Sequence, residues 1–252
     1  MDNSQTSPSS LQIHDISLGI VCPMANERAT AVDFVNAVLA RCEGFREVIF
    51  FAILDNACKD GTTELLKEFQ KEQSQLNVVW APEDTCVVDA YIRGYREALE
   101  AGCDWILEID AGFSHQPADM PQFFDKMLEG YDCVFGSRFC KGGSMTESPL
   151  GRRIVSRGGT ICANILLGTK LTDMTSGFEL FTRPALQMVL NKGIKSRALF
   201  FQTEIKVYCR KLKVAQVPIS YRAPSASVNR KVLKDALSNL FRLFRLRLSG
   251  NL

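Results

Sequence analysis

The sequence predicts an α/β protein in which helices flank a mostly parallel sheet. Short apolar runs alternate with segments of helical spacing through the first half of the chain, and this alternation is typical of parallel strands joined by crossover helices. Two of the runs end at an aspartate that turn-forming residues follow, Asp55 after residues 48–54 and Asp110 after residues 105–109. Such sheets place binding chemistry at the carboxyl ends of their strands, so both carboxylates are candidate site residues.

Each element of the first half is predicted from its local pattern. Strands are predicted at residues 16–22, 48–54, 77–80 and 105–109, and helices are predicted up to residue 39, at 62–69 and at 89–101. The first strand ends at Pro23, and the helix after it places Ala31 and Phe34 at helical spacing. The Asp-Gly dipeptide at 60–61 marks the turn before the second helix.

The second half of the chain predicts further helices and strands of the same domain. The helices are expected around residues 120–128, at 151–167 and at 203–211, and the strands at 132–136 and at 214–219, the last as an edge strand. Lys141 and the two glycines after it indicate a mobile loop. A chain of 252 residues with 46% hydrophobic residues is long enough to bury one sizeable core.

Composition excludes several classes of protein. A net charge of +2 argues against a general nucleic-acid binder, whose positive charge is usually larger and concentrated. The nine cysteines are isolated and form no CxxC pair, which argues against a zinc ribbon or a disulfide framework and favours a reduced, cytosolic setting. The polar N-terminus lacks the order of a signal peptide, so residues 1–15 are expected to be a disordered lead-in. No apolar run reaches the roughly 18 residues of a membrane span.

The C-terminal segment, residues 232–252, predicts an amphipathic helix. Its apolar residues fall on one helical face, and lysines and arginines lie beside or opposite them. The apolar set is Leu233, Leu237, Leu240, Phe241, Phe244 and Leu248. A helix packed on its own domain and a helix lying on a membrane would both show this stripe. The interleaving of arginine with leucine and phenylalanine at residues 242–248 favours a membrane interface with anionic lipids.

Five sequence blocks, in order, carry a resemblance to a known family. They are Pro23-Met-Ala-Asn26-Glu27, Leu54-Asp55-Asn56 with Asp60-Gly61-Thr62, Asp110 to Pro117, Val134-Phe-Gly136-Ser137-Arg138, and Asp173-Met-Thr-Ser176-Gly177-Phe178. Together they resemble a family-2 glycosyltransferase of the GT-A fold, most closely the dolichol- or polyprenyl-phosphate mannose synthase branch. The resemblance implies a GT-A domain at residues 16–231, with a nucleotide half at 16–138 and an acceptor half at 139–231.

The resemblance implies which residues bind the nucleotide. In the family, the residues that match Pro23, Glu27, Asp55 and Asp110 contact it. Carboxylates that follow strands suit this task, because they accept hydrogen bonds from ribose hydroxyls and base N–H groups. A basic loop at residues 225–231 resembles a segment that closes over the diphosphate, with Arg230 or Lys231 supplying the charge.

An acceptor that is a lipid phosphate needs cationic donors rather than a general base, because its oxygen is already anionic. Arg138, Arg152 and Ser156 match the family's acceptor-phosphate residues and complete, with Asp110, the predicted catalytic set. Three further residues, Ser176, Gln202 and Glu204, are expected on the sugar and acceptor side. For Glu204, a salt-bridged structural role is the alternative.

The family's metal motif is incomplete in this chain. Family members hold Mg²⁺ or Mn²⁺ through Asp-x-Asp, but here the motif reads Asp110-Ala-Gly112, so Asp110 is the one metal ligand that remains of the motif. Three explanations compete: a metal held by Asp110 and the diphosphate, neutralisation by arginines, or loss of catalysis. His115 is a further candidate ligand, although a hydrogen-bonded structural role is more common for such a histidine. Ala25, Asn56, Pro224 and residues 86–89 also depart from the family pattern.

The function implied is inverting transfer of a hexose, with mannose from GDP-mannose as the favoured donor, to a polyprenyl or dolichyl phosphate. The protein is then expected to be peripheral on the cytoplasmic face of a membrane, with a small membrane-anchoring subunit as an additional partner and no nucleic acid. Two alternatives remain: transfer of glucose or an N-acetylhexosamine in surface polysaccharide or glycolipid assembly, and a noncatalytic nucleotide-binding homologue that acts as a regulatory partner. Gly112 is the residue that favours the last.

Overall fold

A computed structural model describes residues 11–146, 150–222 and 230–252 of the chain. Strands and helices alternate as the sequence predicts. The strands are β1 (Ser17–Pro23), β2 (Glu47–Leu54), β3 (Leu76–Trp80), β4 (Trp105–Glu108), β5 (Cys133–Ser137), β6 (Ser144–Thr146), β7 (Glu179–Thr182), β8 (Val214–Pro218) and β9 (Ser220–Arg222). The helices are α1 (Ala31–Leu39), α2 (Thr62–Phe69), α3 (Val87–Glu100), α4 (Met120–Leu128), α5 (Leu150–Leu167), α6 (Arg183–Lys192), α7 (Phe201–Tyr208) and α8 (Arg230–Leu248).

The main sheet has seven strands in the order β3-β2-β1-β4-β7-β5-β8. Neighbouring strands within this sheet are parallel except at β7, which runs antiparallel to both β4 and β5. The prediction of a mostly parallel sheet flanked by helices is therefore confirmed, with β8 at the predicted edge. The sequence analysis missed β7 and α6. Glu179 at the start of β7 interrupts the apolar pattern, although it is fully buried.

Helices cover both faces of this sheet and divide the core in two. One apolar cluster packs α1, α2 and α4 on the sheet, and the other packs α3, α6 and α7 on the opposite face. Gly94 in α3 shows how closely a helix approaches, because a Cβ there would lie 2.3 Å from Cγ1 of Val21 in β1. The absence of a side chain at Gly94 therefore allows α3 to pack this close to the sheet.

A second, two-stranded sheet lies beside the main one. β6 and β9 pair in parallel, with Met145 opposite Tyr221. The loop predicted at residues 141–143 is a turn that leads directly into β6, which the sequence analysis did not predict. Tyr221 also forms an isolated antiparallel bridge with His115, so this small sheet closes over the loop that follows β4.

The two ends of the described chain differ from the predictions in part. Ile13–Asp15 forms a short 3-10 turn, and Ile13 packs against the core, so a disordered lead-in that extends to residue 15 is wrong for its last residues. Residues 1–10 lie outside the described part. α8 begins at Arg230 and packs on α5, burying Leu243, whereas Leu237 and Phe241 remain 58% and 61% exposed. Of the helices in the described ranges, none is long and apolar enough to cross a bilayer.

Candidate active site

A cavity of about 520 Å³ opens at the carboxyl ends of β1 and β2, beside the start of α3. Pro23, Asp55, Asn56 and Asp84 help to line it. Oδ1 of Asp55 accepts the backbone N–H of Ala57 at 2.8 Å, which fixes the orientation of the carboxylate. Because Asp55 and Asp84 line this cavity with carboxylates, its surface suits a ligand that donates hydrogen bonds, such as a ribose or a base edge.

Asp84 is a candidate site residue that the sequence analysis missed. Its Oδ2 is buried and has no hydrogen-bond partner in the part of the chain that the structure describes. Burial raises the pKa of this carboxyl group above its ordinary value, and the nearby charges of Asp89 and Glu83 raise it further. The signal that was available is its position in the loop after β3, four residues beyond the end of a strand that neighbours β2.

Asp110 lies at the centre of the sheet edge, directly after β4. Its Oδ1 accepts a hydrogen bond from the hydroxyl of Tyr91, and its backbone N–H donates to Nδ1 of His115 at 3.2 Å. His115 is buried and stacks on Phe178 with ring centroids 5.1 Å apart, and its burial lowers the pKa of the imidazole. A neutral His115 whose Nδ1 is already an acceptor fits the structural interpretation rather than metal ligation.

The loop after β4 contacts the loop after β1 through Gly112 and Glu27. Gly112 has φ +70° and Phe113 has φ 59°, so two consecutive residues are left-handed. Glu27 accepts a hydrogen bond from Oγ1 of Thr30 at 3.0 Å. Burial raises the pKa of the Glu27 carboxyl group against the opposing effect of this hydrogen bond, and the charges of Asp60 and Asp110 raise it further.

The donor groups present are compatible with a divalent cation that is held only partly by protein. Within the described ranges, no cluster of three or more His, Cys, Asp or Glu side chains is arranged to enclose a metal ion. Asp110 nevertheless presents a hard oxygen ligand, and its side chain is 41% exposed at the sheet edge. Mg²⁺ in particular is commonly bound by one or two carboxylates together with substrate phosphates and water, so the residues fit such an ion.

A second cavity, of about 420 Å³, adjoins Asp110 and extends between α5 and α8. Its polar end contains the residues that the sequence predicts for the reaction: Asp110, Arg138, Arg152, Ser156, Ser176 and Gln202. Its walls are mainly apolar and include Val155, Leu199, Leu233, Leu237 and Leu240. The structure therefore brings the predicted catalytic set together in one cavity.

Arg138 is held in this cavity by a partner that the sequence analysis did not single out for this role. Nε of Arg138 donates to Oδ2 of Asp173 at 2.7 Å and Nη2 donates to Oδ1 at 2.9 Å, a bidentate pair whose side chains are 4% and 0% exposed. Nη2 also donates to the hydroxyl of Thr175 at 2.6 Å. The ion pair raises the pKa of Arg138 and lowers that of Asp173 against the effect of burial, so both groups stay charged.

Arg152, at the start of α5, faces the same cavity end and is half-buried. Burial lowers the pKa of its guanidinium, and the positive charge of Arg138 also lowers it. Guanidinium groups donate paired hydrogen bonds to phosphate oxygens, so two arginines that line one cavity end suit an oxyanion or a phosphate.

A buried polar network supports the floor of this cavity. Gln202 donates to Glu108, which also accepts from the hydroxyl of Tyr95, and Lys206 pairs with Glu179. Burial and the charge of Glu179 raise the pKa of Glu108 well above its ordinary value. Nζ of Lys206 also donates to the backbone oxygen of Ser176 at 2.6 Å. These contacts hold Gln202 and the Ser176 backbone, both of which border the cavity, on rigid elements.

The remaining predicted residues lie elsewhere. Glu204 is fully buried and accepts from the backbone N–H groups of Lys195 and Ser196, from Tyr208, and from Arg242 of α8. This geometry matches the structural alternative for Glu204 rather than a place on the sugar side. Arg230 and Lys231 begin α8 with exposed side chains, just before residues that line the second cavity, and their nucleotide-binding role stays a prediction. The rest of the predicted basic loop, residues 225–229, and Pro224 lie outside the described residues.

Comparison with known proteins gives matches to sequences and to solved structures. The chain is 31% identical over 171 residues to an undecaprenyl-phosphate mannosyltransferase of Micrococcus luteus, covering 67% of this chain and 70% of that protein. It is 23% identical over 236 residues to a polyprenol monophosphomannose synthase of Mycolicibacterium smegmatis, covering 92% and 88%.

Among solved structures, it superposes on a glucosyl-3-phosphoglycerate synthase of Mycobacterium tuberculosis in complex with UDP, with a TM-score of 0.65, 17% identity, and coverage of 91% of this chain and 80% of that one. A second structure of that enzyme, with Mn²⁺, UDP and phosphoglyceric acid, gives a TM-score of 0.63 at 17% identity and covers 89% and 78%. At this level of identity the superposition shows the fold, which is the predicted GT-A type.

The family model of glycosyl transferase family 2 matches residues 19–190, from β1 through most of α6. The match spans Asp55 and Asp110 at the strand ends and Arg138 and Arg152 in the second cavity. The predicted resemblance is confirmed on both grounds, sequence and fold: the chain belongs to glycosyltransferase family 2 and is a glycosyltransferase.

Proposed function

We propose that this glycosyltransferase transfers a hexose, mannose from GDP-mannose, with inversion to a polyprenyl phosphate at the cytoplasmic face of a membrane. The observation that carries the proposal is the second cavity, between α5 and α8, which has arginines and Asp110 at one end and mainly apolar walls leading away from them. A polyprenyl phosphate has the same two parts, an anionic head and a long apolar chain. A soluble sugar acceptor would gain nothing from the leucines of α8.

The charged end of the cavity is suited to place the acceptor phosphate. Arg138 is fixed by Asp173, and Arg152 lies at the start of α5 with Ser156 one turn further on. Guanidinium groups bind phosphate oxygens through paired hydrogen bonds, and the first turn of a helix favours an anion. A phosphate held there lies next to Asp110, which borders both the sheet edge and this cavity.

The reaction then needs no general base. An anionic oxygen of the acceptor phosphate attacks the anomeric carbon of the sugar, the bond from that carbon to the diphosphate oxygen breaks, and the nucleoside diphosphate leaves with the electron pair. Attack from the side opposite the leaving group inverts the anomeric configuration. Asp55 and the first cavity, at the ends of β1 and β2, hold the nucleoside in this scheme. A divalent cation held by Asp110 would neutralise charge on the diphosphate.

The names of the relatives support the acceptor class. The protein of Micrococcus luteus is named for transfer of mannose to undecaprenyl phosphate, and that of Mycolicibacterium smegmatis for synthesis of polyprenol monophosphomannose. The second similarity covers 92% of this chain.

A membrane face next to the cavity supports the same acceptor. α5 and α8 pack on each other, and both expose large apolar side chains. These are Leu150, Ile154, Val155, Ile161 and Ile165 on α5 and Leu233, Leu237, Phe241 and Leu248 on α8. α5 carries three arginines and no acidic residue, and α8 carries a single aspartate among its basic residues. An apolar surface with a basic border suits an anionic membrane.

The activity test uses radiolabelled sugars. Transfer from a panel of nucleotide sugars to polyprenyl phosphate in vesicles is measured with Mg²⁺, with Mn²⁺ and with chelator. Arg152→Ala should abolish transfer while nucleotide binding stays at the wild-type level, and the exposed neighbour Arg153→Ala is the matched control. Equal loss of transfer and nucleotide binding in Arg152→Ala would contradict the assignment of Arg152 to the acceptor phosphate.

The membrane test uses flotation with vesicles that contain anionic lipid. Leu237→Asp and Phe241→Asp, both on the exposed face of α8, should reduce the bound fraction, whereas Ser238→Asp at an exposed position of the same helix should change it less. Equal loss in all three variants would indicate that added negative charge, rather than the apolar face, determines binding.

A further inference from the structure

Gly112 and Glu27 occupy one small volume between two loops. A Cβ at Gly112 would lie 2.7 Å from Oε2 of Glu27 and 3.1 Å from Oε1. The Glu27 carboxylate therefore already fills the space in which a side chain at position 112 would begin. The two loops meet because β1 and β4 are neighbours in the sheet, with Val21 opposite Glu108.

We infer that Glu27 supplies, together with Asp110, the second carboxylate of a divalent-cation site, in place of the aspartate that position 112 lacks. The inference rests on the proposed function, because the donor diphosphate and water would complete the coordination. Two protein carboxylates plus phosphate oxygens form the hard oxygen ligand set that Mg²⁺ and Mn²⁺ prefer. In this arrangement the second carboxylate comes from the loop after β1, which carries Glu27, rather than from position 112 in the loop after β4.

Neighbouring groups are less suited to this role. Asp60 accepts from the hydroxyl of Thr62 at 2.6 Å and from the backbone N–H of Arg28 at 3.0 Å, which caps the turn before α2. His115 uses Nδ1 to accept from the backbone of Asp110. The hydrogen bond from Thr30 to Glu27 comes from a neutral hydroxyl and leaves the negative charge of the carboxylate in place.

The closeness of positions 112 and 27 predicts that substitutions at the two positions affect each other. An aspartate at position 112 would bring a second negative charge against the Glu27 carboxylate, and its Cβ would displace the end of that flexible side chain. A Gln at position 27 must also shift its end, but the charge repulsion is absent, and Asp is one of the residues that tolerates a left-handed backbone such as φ +70°. Gly112→Asp should therefore be harmful in the wild type and beneficial in Glu27→Gln.

The test measures cation binding directly, on the full chain. Free Mn²⁺ is followed by electron paramagnetic resonance during titration of the wild type, Glu27→Gln, Gly112→Asp and the double variant, without nucleotide and with GDP. GDP affinity is measured in parallel with Mn²⁺ and with chelator. Asp33→Asn, at an exposed carboxylate of α1, is the matched control for loss of one acidic group.

Glu27→Gln should weaken Mn²⁺ binding at least about tenfold, and it should lower GDP affinity more with Mn²⁺ than with chelator. The double variant should bind Mn²⁺ more tightly than Glu27→Gln, and Asp33→Asn should match the wild type. Wild-type Mn²⁺ affinity in Glu27→Gln would overturn the inference. So would an equal loss of GDP affinity with and without Mn²⁺, which would assign Glu27 to the nucleoside itself. If GDP binds to none of these proteins while Mn²⁺ binding still depends on Glu27, the cation site stands and the proposed donor is wrong.

Discussion

Removing the negative charge of Asp173 should destabilise the protein strongly, because Arg138 would remain buried without a counter-ion. Asp173→Asn preserves the shape of the side chain and an oxygen that accepts the backbone N–H of Thr175, now 3.0 Å from Oδ1. The side chains of Arg138 and Asp173 are 4% and 0% exposed, so solvent screens their interaction little. Breaking a buried pair of this kind costs about 3–5 kcal/mol, which corresponds to a fall in Tm on the order of 10 °C for a chain of this size.

The assay is a double-mutant cycle in urea and thermal unfolding. Arg138→Met/Asp173→Asn removes both charges and should be more stable than Asp173→Asn alone, although it should not transfer sugar. The stabilising effect of Asp173 has a defined pH range, because its pKa is lowered in the folded state. It is present above the unfolded value of about 3.9 and is lost as the pH falls through the folded value. A loss below about 1 kcal/mol in Asp173→Asn, or a double variant as unstable as the sum of the singles, would refute the reasoning.

Three further predictions concern packing, pH and α8. Gly94→Ala should lower the free energy of unfolding by about 1–3 kcal/mol because α3 must move from the sheet, whereas the control Gly158→Ala, with no atom within 4 Å of the new Cβ, should not destabilise. His115 is buried with a lowered pKa, so wild-type stability should fall as the pH drops below about 6.5, and His115→Gln should flatten this dependence in urea unfolding measured against pH. Arg242→Met should lower Tm, because it leaves the buried Glu204 carboxylate without its cation, and an unchanged Tm would show that the backbone donors suffice.

Much of the nucleotide side was predictable from local sequence. β1, β2 and β4 are nearly continuous apolar runs, and each is followed by turn-forming residues, so strand ends and their carboxylates could be located without the structure. Asp55 and Asp110 lie where this reasoning expects them, at the carboxyl edge of the sheet. Apolar runs followed by turn-forming residues are local patterns, and such patterns can be recognised in a single sequence.

The features that were missed depend on long-range partners. Glu179 makes β7 look polar, and only the ion pair with Lys206, 27 residues further along the chain, makes its burial favourable. Asp173 lies in a recognised block, but its bond to Arg138 spans 35 residues and has no periodic signal. The inward orientation of the Glu204 side chain likewise depends on its ion pair with Arg242 in α8. Hydrogen-bond partners of this kind are fixed by topology rather than by local propensity.

The reversed direction of β7 has a consequence for how such an enzyme can change. Arg138 follows the end of β5, and the chain returns to the same edge of the sheet just before β7. The segment between these two points, which carries α5, therefore leaves and re-enters the fold at one place. The ion pair between Arg138 and Asp173 connects the two ends of that segment. Insertions, deletions or new side chains within it therefore alter the wall of the second cavity without shifting the register of any strand of the main sheet. A fold built this way can change that wall while the strand ends that carry Asp55 and Asp110 stay the same.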